Sequence, residues 1–129
     1  MSSQDLTLPL REVRRGQRFT LLVYVRDNGT CPVAEYLDEL TERERKRIDG
    51  LLERAAEHGP PRNREQNAAL TGEDFFEFKA FQIRIFWRYT SGRRIVLFHG
   101  FTKKSGRTPR HELTTGRQRW QETVEELGR

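Results

Sequence analysis

An α+β fold with a mainly antiparallel sheet follows from three features of the sequence. Apolar residues gather into strand-length runs, FTLLVYV, FFEFKAFQIRIFWRY and RRIVLFHGF. Two helical stripes lie between the first run and the second, and the later strands are joined by links too short for the crossover a parallel pair needs. The implied order is strand, two helices, three-strand meander and C-terminal helix, in one domain covering residues 1–129.

Residues 1–18, ending in LREVRRGQR, show no settled periodicity and read as a short strand or a loose N-terminal extension. Phe19 to Arg26 is rich in β-branched and aromatic residues and is closed by the turn sequence Asp27-Asn28-Gly29, which makes it the first firm strand. Pro32 opens a helix, with Val33, Tyr36, Leu37 and Leu40 at helical spacing. Thr41 followed three residues later by Glu44 is a capping box, so a second helix starts where the first stops. Its stripe is Ile48, Leu51, Leu52 and Ala55, and Gly59-Pro60-Pro61 ends it. A polar connector at residues 62–73 precedes strands at Asp74 to Lys79, Gln82 to Thr90 and Arg93 to Phe101. A basic loop, Thr102 to Arg107, leads to a helix capped by Thr108, with Pro109 at its first position and Leu113, Trp120, Val124 and Leu127 along its inner side. Gly116 is the weak point of that helix.

The net charge of +5 hides an asymmetry. Eleven of the 24 basic residues but only one of the 19 acidic ones, Glu112, lie between Lys79 and Arg119. Such a field attracts phosphate backbones or an acidic protein without selecting a sequence. The single cysteine, Cys31, precludes an internal disulfide, a zinc knuckle or a redox pair, and beside Pro32 it reads as structural. No apolar run approaches the roughly 20 residues that span a bilayer. The start MSSQDL lacks a signal peptide's apolar segment, so a cytoplasmic location with no membrane partner is the expectation. The sequence contains no His-Glu-x-x-His, glycine-rich phosphate loop or clustered histidines, and its carboxylates are not paired as magnesium ligands. Any chemistry is therefore expected to need neither metal nor cofactor.

If Ser91-Gly92 and Ala80-Phe81 are two-residue hairpin loops, Arg84 lies opposite both His99 and Glu77, with Arg88 on the same face. Metal-free RNA cleavage needs a base for the 2′-OH, an acid for the departing oxygen and cations for the phosphate. His99 fits either proton role, Arg84 fits the phosphate, and Lys103 and Lys104 add charge from the loop. Glu77 reads as a weak base or as the group that holds Arg84. Arg88, Arg107, Arg110 and Tyr89 are the candidate RNA contacts. The competing reading has His99 packed in the core, since it shares parity with Ile95, Leu97 and Phe101. It also pairs Arg84 with Glu77 internally and makes the basic loop a solvated patch. His111, in the first turn of the last helix, is a second histidine candidate, whereas His58 is a helix-end residue. Trp87 and Trp120 read as core.

Two segments resemble the RelE/ParE superfamily of bacterial toxins, in particular its HigB-like branch, also described as phage Gp49-like proteins. FFEFKAFQIRIFWRY is similar to the family's strand pair, with Arg84 at its arginine. RIVLFHGFTKKSGRTPRHEL matches its strand, Gly-Phe, Lys-Lys and Thr-Pro pattern at Lys103, Lys104, Thr108 and Pro109. TLLVYVRDNGTCPVAEYLDEL is more distantly similar to its opening strand and helix, so the likeness covers roughly residues 19 to 120. It implies a RelE-like fold and a type II toxin-antitoxin toxin acting as a ribosome-dependent mRNA endoribonuclease. The implied partners are mRNA on the ribosome and a HigA-like helix-turn-helix antitoxin. The sequence departs from the family in the tight Ala80-Phe81 link and in Thr114-Thr115-Gly116, which replaces a better helix former. The alternatives are a non-catalytic phage-derived binding protein or inhibitor of a host target with the same fold, and a DNA-binding or structural phage component.

Overall fold

The computed structural model describes residues 10–127; the first part of the proposed N-terminal extension lies outside the described residues. A six-stranded sheet has the order β1-β2-β6-β5-β4-β3. Its strands are β1 (Leu10–Arg15), β2 (Thr20–Tyr24), β3 (Asn67–Ala69), β4 (Phe76–Ala80), β5 (Ile83–Thr90) and β6 (Arg94–Thr102). Helices α1 (Pro32–Asp38) and α2 (Glu42–His58) follow β2, and α3 (Arg110–Leu127) follows β6. The α+β class and the β4-β5-β6 meander agree with the sequence, but the sheet is mixed, because β2 runs parallel to β6. Residues 10–15 form an edge strand instead of a loose arm: Leu10 is buried beside Leu22 and Val96. The connector at residues 62–73 contains the short edge strand β3, which the polar sequence did not reveal.

The helical hairpin forms for the local reasons anticipated. Pro32 stands in the first turn of α1, Cys31 is its buried N-cap residue, and Thr41 and Glu44 exchange both capping-box hydrogen bonds. Ile48, Leu51, Leu52 and Ala55 turn inward against Leu21, Val23, Ile85 and Leu97 on the first face of the sheet. On that face the Trp87 ring lies between Phe76 and Phe78, with centroids 4.6 and 4.9 Å away. Its indole nitrogen donates to Asn67 Oδ1 at 3.0 Å, so the polar atom of the buried ring is satisfied.

The second face has its own core of Tyr24, Phe75, Phe86, Phe98 and Phe101 beneath α3. Leu113 and Trp120 of α3 pack onto it, but Val124 is 41% exposed and the inward positions are instead Gly116 and Thr123. The side chain of Leu127 lies outside the described residues. Gly116 is a contact point and not a weakness. A Cβ there would come within 2.6 Å of the Phe86 ring, so only glycine lets the helix lie this close. The helix begins at Arg110, one residue later than expected, with the Pro109 carbonyl accepting from Leu113 N.

Candidate nucleic-acid interface

The strand registers decide which side chains meet. The β4-β5 loop is Phe81-Gln82, with Ala80 opposite Ile83 and a positive φ at Phe81, so Glu77 faces Phe86 and Lys79 faces Arg84. The β5-β6 loop has three residues, Ser91-Gly92-Arg93, with positive φ at Gly92 and Arg93. That extra residue alone would turn β6 over relative to β5. A bulge at Phe98 restores the facing, leaving Arg84 opposite Phe101 and Phe86 opposite His99. Glu77, Arg84 and His99 therefore do share a face, but the straight row across three strands does not form. The shared parity of His99 with Ile95 and Leu97 is also corrected: the bulge puts those two in the first core and His99 beside Phe86 and Phe101.

His99 is 5% exposed and both of its ring nitrogens are engaged. Arg119 Nη1 donates to Nδ1 at 2.7 Å, and Nε2 lies 2.7 Å from Glu112 Oε1. A guanidinium has no acceptor, so Nδ1 must be unprotonated and Nε2 must carry the hydrogen donated to Glu112. Burial is the largest influence and pushes the His99 pKa down; Glu112 raises it and Arg119 lowers it, leaving it below its ordinary value. This neutral imidazole clamps two points of α3 to β6. The other oxygen of Glu112 lies 3.3 Å from Nε2 of His111, whose side chain is exposed. Tyr24 reinforces the docking by donating to Glu122 at 2.7 Å, and Arg117 pairs with Glu73.

Arg84 does not pair with Glu77. Its Nη1 donates to the carbonyls of Phe81 and Ile83 at 3.0 and 2.9 Å, bracing the β4-β5 turn, and its Nε has no partner among the described residues. Glu77 is buried with Oε1 also unpartnered, and burial raises its pKa against the opposing effect of Arg84, Lys79 and Lys103. Lys103 joins this group from the loop, where its backbone N–H donates to Gln82. Lys104, Arg107 and Arg110 are exposed beyond it and form no ion pair with a described carboxylate. Arg88 is committed elsewhere, 4.5 Å over the Trp120 ring and 3.4 Å from Asp74. Tyr89 is not part of this face. It projects from the first face, beside Phe19 and Trp87.

Periodicity located His99 and the lysine loop, but it missed the role of Arg119, which lies twenty residues from its partner. Arg119 lies in line with the buried Gly116 and Thr123 and off the expected Leu113, Trp120 and Val124 stripe, so helical spacing carried no signal for it. Among the described residues no three His, Cys, Asp or Glu side chains gather as metal ligands. No helix among them is long and apolar enough to cross a membrane.

Fold and surface together define a small α+β protein with a mixed sheet, two helices on one face and a third helix that sets a basic loop at one end of the other. The chain belongs to the family described as Phage derived protein Gp49-like (DUF891), which matches residues 35–121, from α1 into α3. That span contains every candidate site residue named from the sequence. No match was found among curated proteins.

Proposed function

We propose that this phage-derived protein binds RNA through the basic β6-α3 loop and inhibits a host target by occupying it, without cutting the RNA. The observation that carries the reading is the exposed group Lys104, Arg107 and Arg110, with Lys103 at its base. Lys104, Arg107 and Arg110 form no ion pair with a described carboxylate, an arrangement suited to phosphates. Family membership supports a phage-derived protein, and the occupied nitrogens of His99 favour binding over proton transfer.

A second reading is favoured by His111, a solvent-exposed imidazole beside Arg110 and oriented by Glu112. On it the chain is a RelE/ParE-like toxin of the HigB-like branch, the toxin of a type II toxin-antitoxin system. It would be a metal-independent, ribosome-dependent mRNA endoribonuclease of the cytoplasm, held by a HigA-like antitoxin. Arg84, Lys103 and Lys104 would hold the phosphate, His111 would move the proton, and His99 would be a positioning residue.

Labelled mRNA in a purified translating-ribosome system tests both. The binding reading expects slowed translation with intact message, relieved when Lys103, Lys104, Arg107 and Arg110 are changed together to alanine. That variant should also flatten the salt dependence of RNA binding by about 3 in the log-log slope, at about 0.7 per single-strand phosphate contact. Cuts in ribosome-bound message that vanish with Arg84→Ala and His111→Ala would establish the enzyme instead. Normal translation with no RNA binding would refute both.

A further inference from the structure

At the far end of the sheet from the basic loop, and on the opposite face, is a cleft that the reading above does not use. It has a volume of about 380 Å³, within the ~300–1,000 Å³ range of small-ligand sites, and is lined by Arg18, Phe19, Arg62, Asn67 and Tyr89 with the His58–Pro61 turn. No carboxylate is among its described lining residues. Tyr89 is the most exposed aromatic ring of the described residues at 48%, and Phe19 lies 5.6 Å from it. Arg18 and Arg62 of this lining are exposed, and a smaller neighbouring cleft shares Arg18 and adds Arg93, while Arg15 in its lining is paired with Glu12. The backbone of Lys103 is bonded to Gln82, the loop residue just before β5. Tyr89, seven residues on, is thus about 23 Å away at ~3.3 Å per residue.

The walls of this cleft are preformed. The backbone N–H groups of Arg18 and Phe19 both donate to the Ala56 carbonyl at 3.0 Å, tying the β1-β2 turn to the end of α2. Gly16 permits that approach, since a Cβ there would fall 2.4 Å from the Ala56 carbonyl carbon. Arg18 Nη1 donates to the His58 carbonyl at 3.2 Å, and Asn67 is held between the Trp87 indole and the Pro61 carbonyl. Tyr89 packs edge-on with Trp87, at 4.9 Å and 88°, so the ring is fixed while nearly half of it faces solvent. A fixed, half-exposed aromatic ring flanked by arginines, without acidic neighbours in the lining, is the combination that holds an unpaired base and its phosphate.

We propose that this cleft binds one unpaired nucleotide of a single-stranded nucleic acid, with the base stacked on Tyr89 and the phosphate held by Arg18 and Arg62. The contact is separate from the basic loop and does not depend on it. Fluorescence anisotropy with labelled decaadenylate RNA, and with the same ribose-phosphate chain lacking bases, tests it on the wild-type protein. At ~1–3 kcal/mol per stacked base, the abasic chain should bind roughly 5- to 150-fold more weakly. Tyr89→Leu keeps apolar packing on Trp87 but has no π face, and it should bring the two ligands to within about twofold of each other. Tyr89→Phe should preserve the difference. Arg18→Ala with Arg62→Ala should weaken both ligands alike and lower the salt slope. Alanine at Lys103 and Lys104 should weaken both ligands and leave the base discrimination intact, which separates this site from the loop. Equal binding of intact and abasic chains by wild type, or discrimination retained in Tyr89→Leu, overturns the proposal. A decaglutamate peptide that displaces RNA from the Tyr89 cleft as well as unlabelled RNA does would overturn it in favour of an acidic protein partner.

Discussion

Replacing His99 should unlatch α3 from the sheet, in a way that depends on pH. His99→Ala removes two hydrogen bonds to charged groups, each worth about 1.5–3 kcal/mol, and leaves Arg119 and Glu112 without their partner. The expected loss is about 3–5 kcal/mol, which for a chain of this length lowers Tm by roughly 10–20 °C. His99→Gln can still accept and donate, so its loss at pH 8 should be smaller, and it cannot titrate. The folded-state pKa of His99 lies below its ordinary value, so the unfolded chain takes up this proton first as pH falls. The stabilisation is therefore complete above about pH 6.5 and is lost as pH drops through the depressed folded value. The slope from this one proton is at most about 1.4 kcal/mol per pH unit. The raised pKa of Glu77 works in the opposite sense, because the folded state holds that proton longer, so the informative quantity is wild type minus His99→Gln. Thermal unfolding by circular dichroism between pH 8 and 5.5 measures it, with the combined emission of Trp87 and Trp120 as a second readout. Parallel pH curves for wild type and His99→Gln, or an unchanged Tm in His99→Ala, would refute the clamp.

Two further changes test the packing. Gly116→Val should cost about 1–3 kcal/mol by forcing α3 off Phe86, read as a lower midpoint in urea. Thr41→Ala removes the hydroxyl that accepts from Glu44 N and should cost about 1 kcal/mol by the same denaturation, with RNA binding unchanged.

The helical hairpin was legible residue by residue because its signals are local: a proline at the first turn, a capping box, an apolar stripe and a Gly-Pro stop. The meander was legible for the same reason, since short links leave few topologies. The parallel β2-β6 pair was not, because nothing local records which strand a distant segment will join. The hairpin registers failed at Phe81 and Arg93, non-glycine residues that adopt positive φ, a choice that residue type does not announce. The face of His99 came out right because the three-residue loop and the bulge at Phe98 are two slips that cancel. The candidate site suffered more than the fold, since pairing Arg84 with Glu77 or freeing His99 depended on a register that α3 and the bulge decide together.

That bulge also joins the docking of α3 to the surface it carries. By placing Phe98 and His99 consecutively toward α3, it gives the helix an aromatic seat at Trp120 and a polar clamp at Glu112 and Arg119. Glu112 lies in the first turn of α3, directly after the basic loop, so the position of Lys104, Arg107 and Arg110 depends on the clamp. A residue that contacts phosphate and a residue that positions the contact then have different signatures. Removing Arg107 or Arg110 should lower the salt slope of RNA binding by about 0.7 each. His99→Gln touches no phosphate, so it should weaken binding through a less ordered loop while leaving that slope unchanged. A fall in slope with His99→Gln would mean that the clamp, when broken, also withdraws a cation from the RNA, and the loop would then be part of the helix's folding unit instead of a surface resting on it.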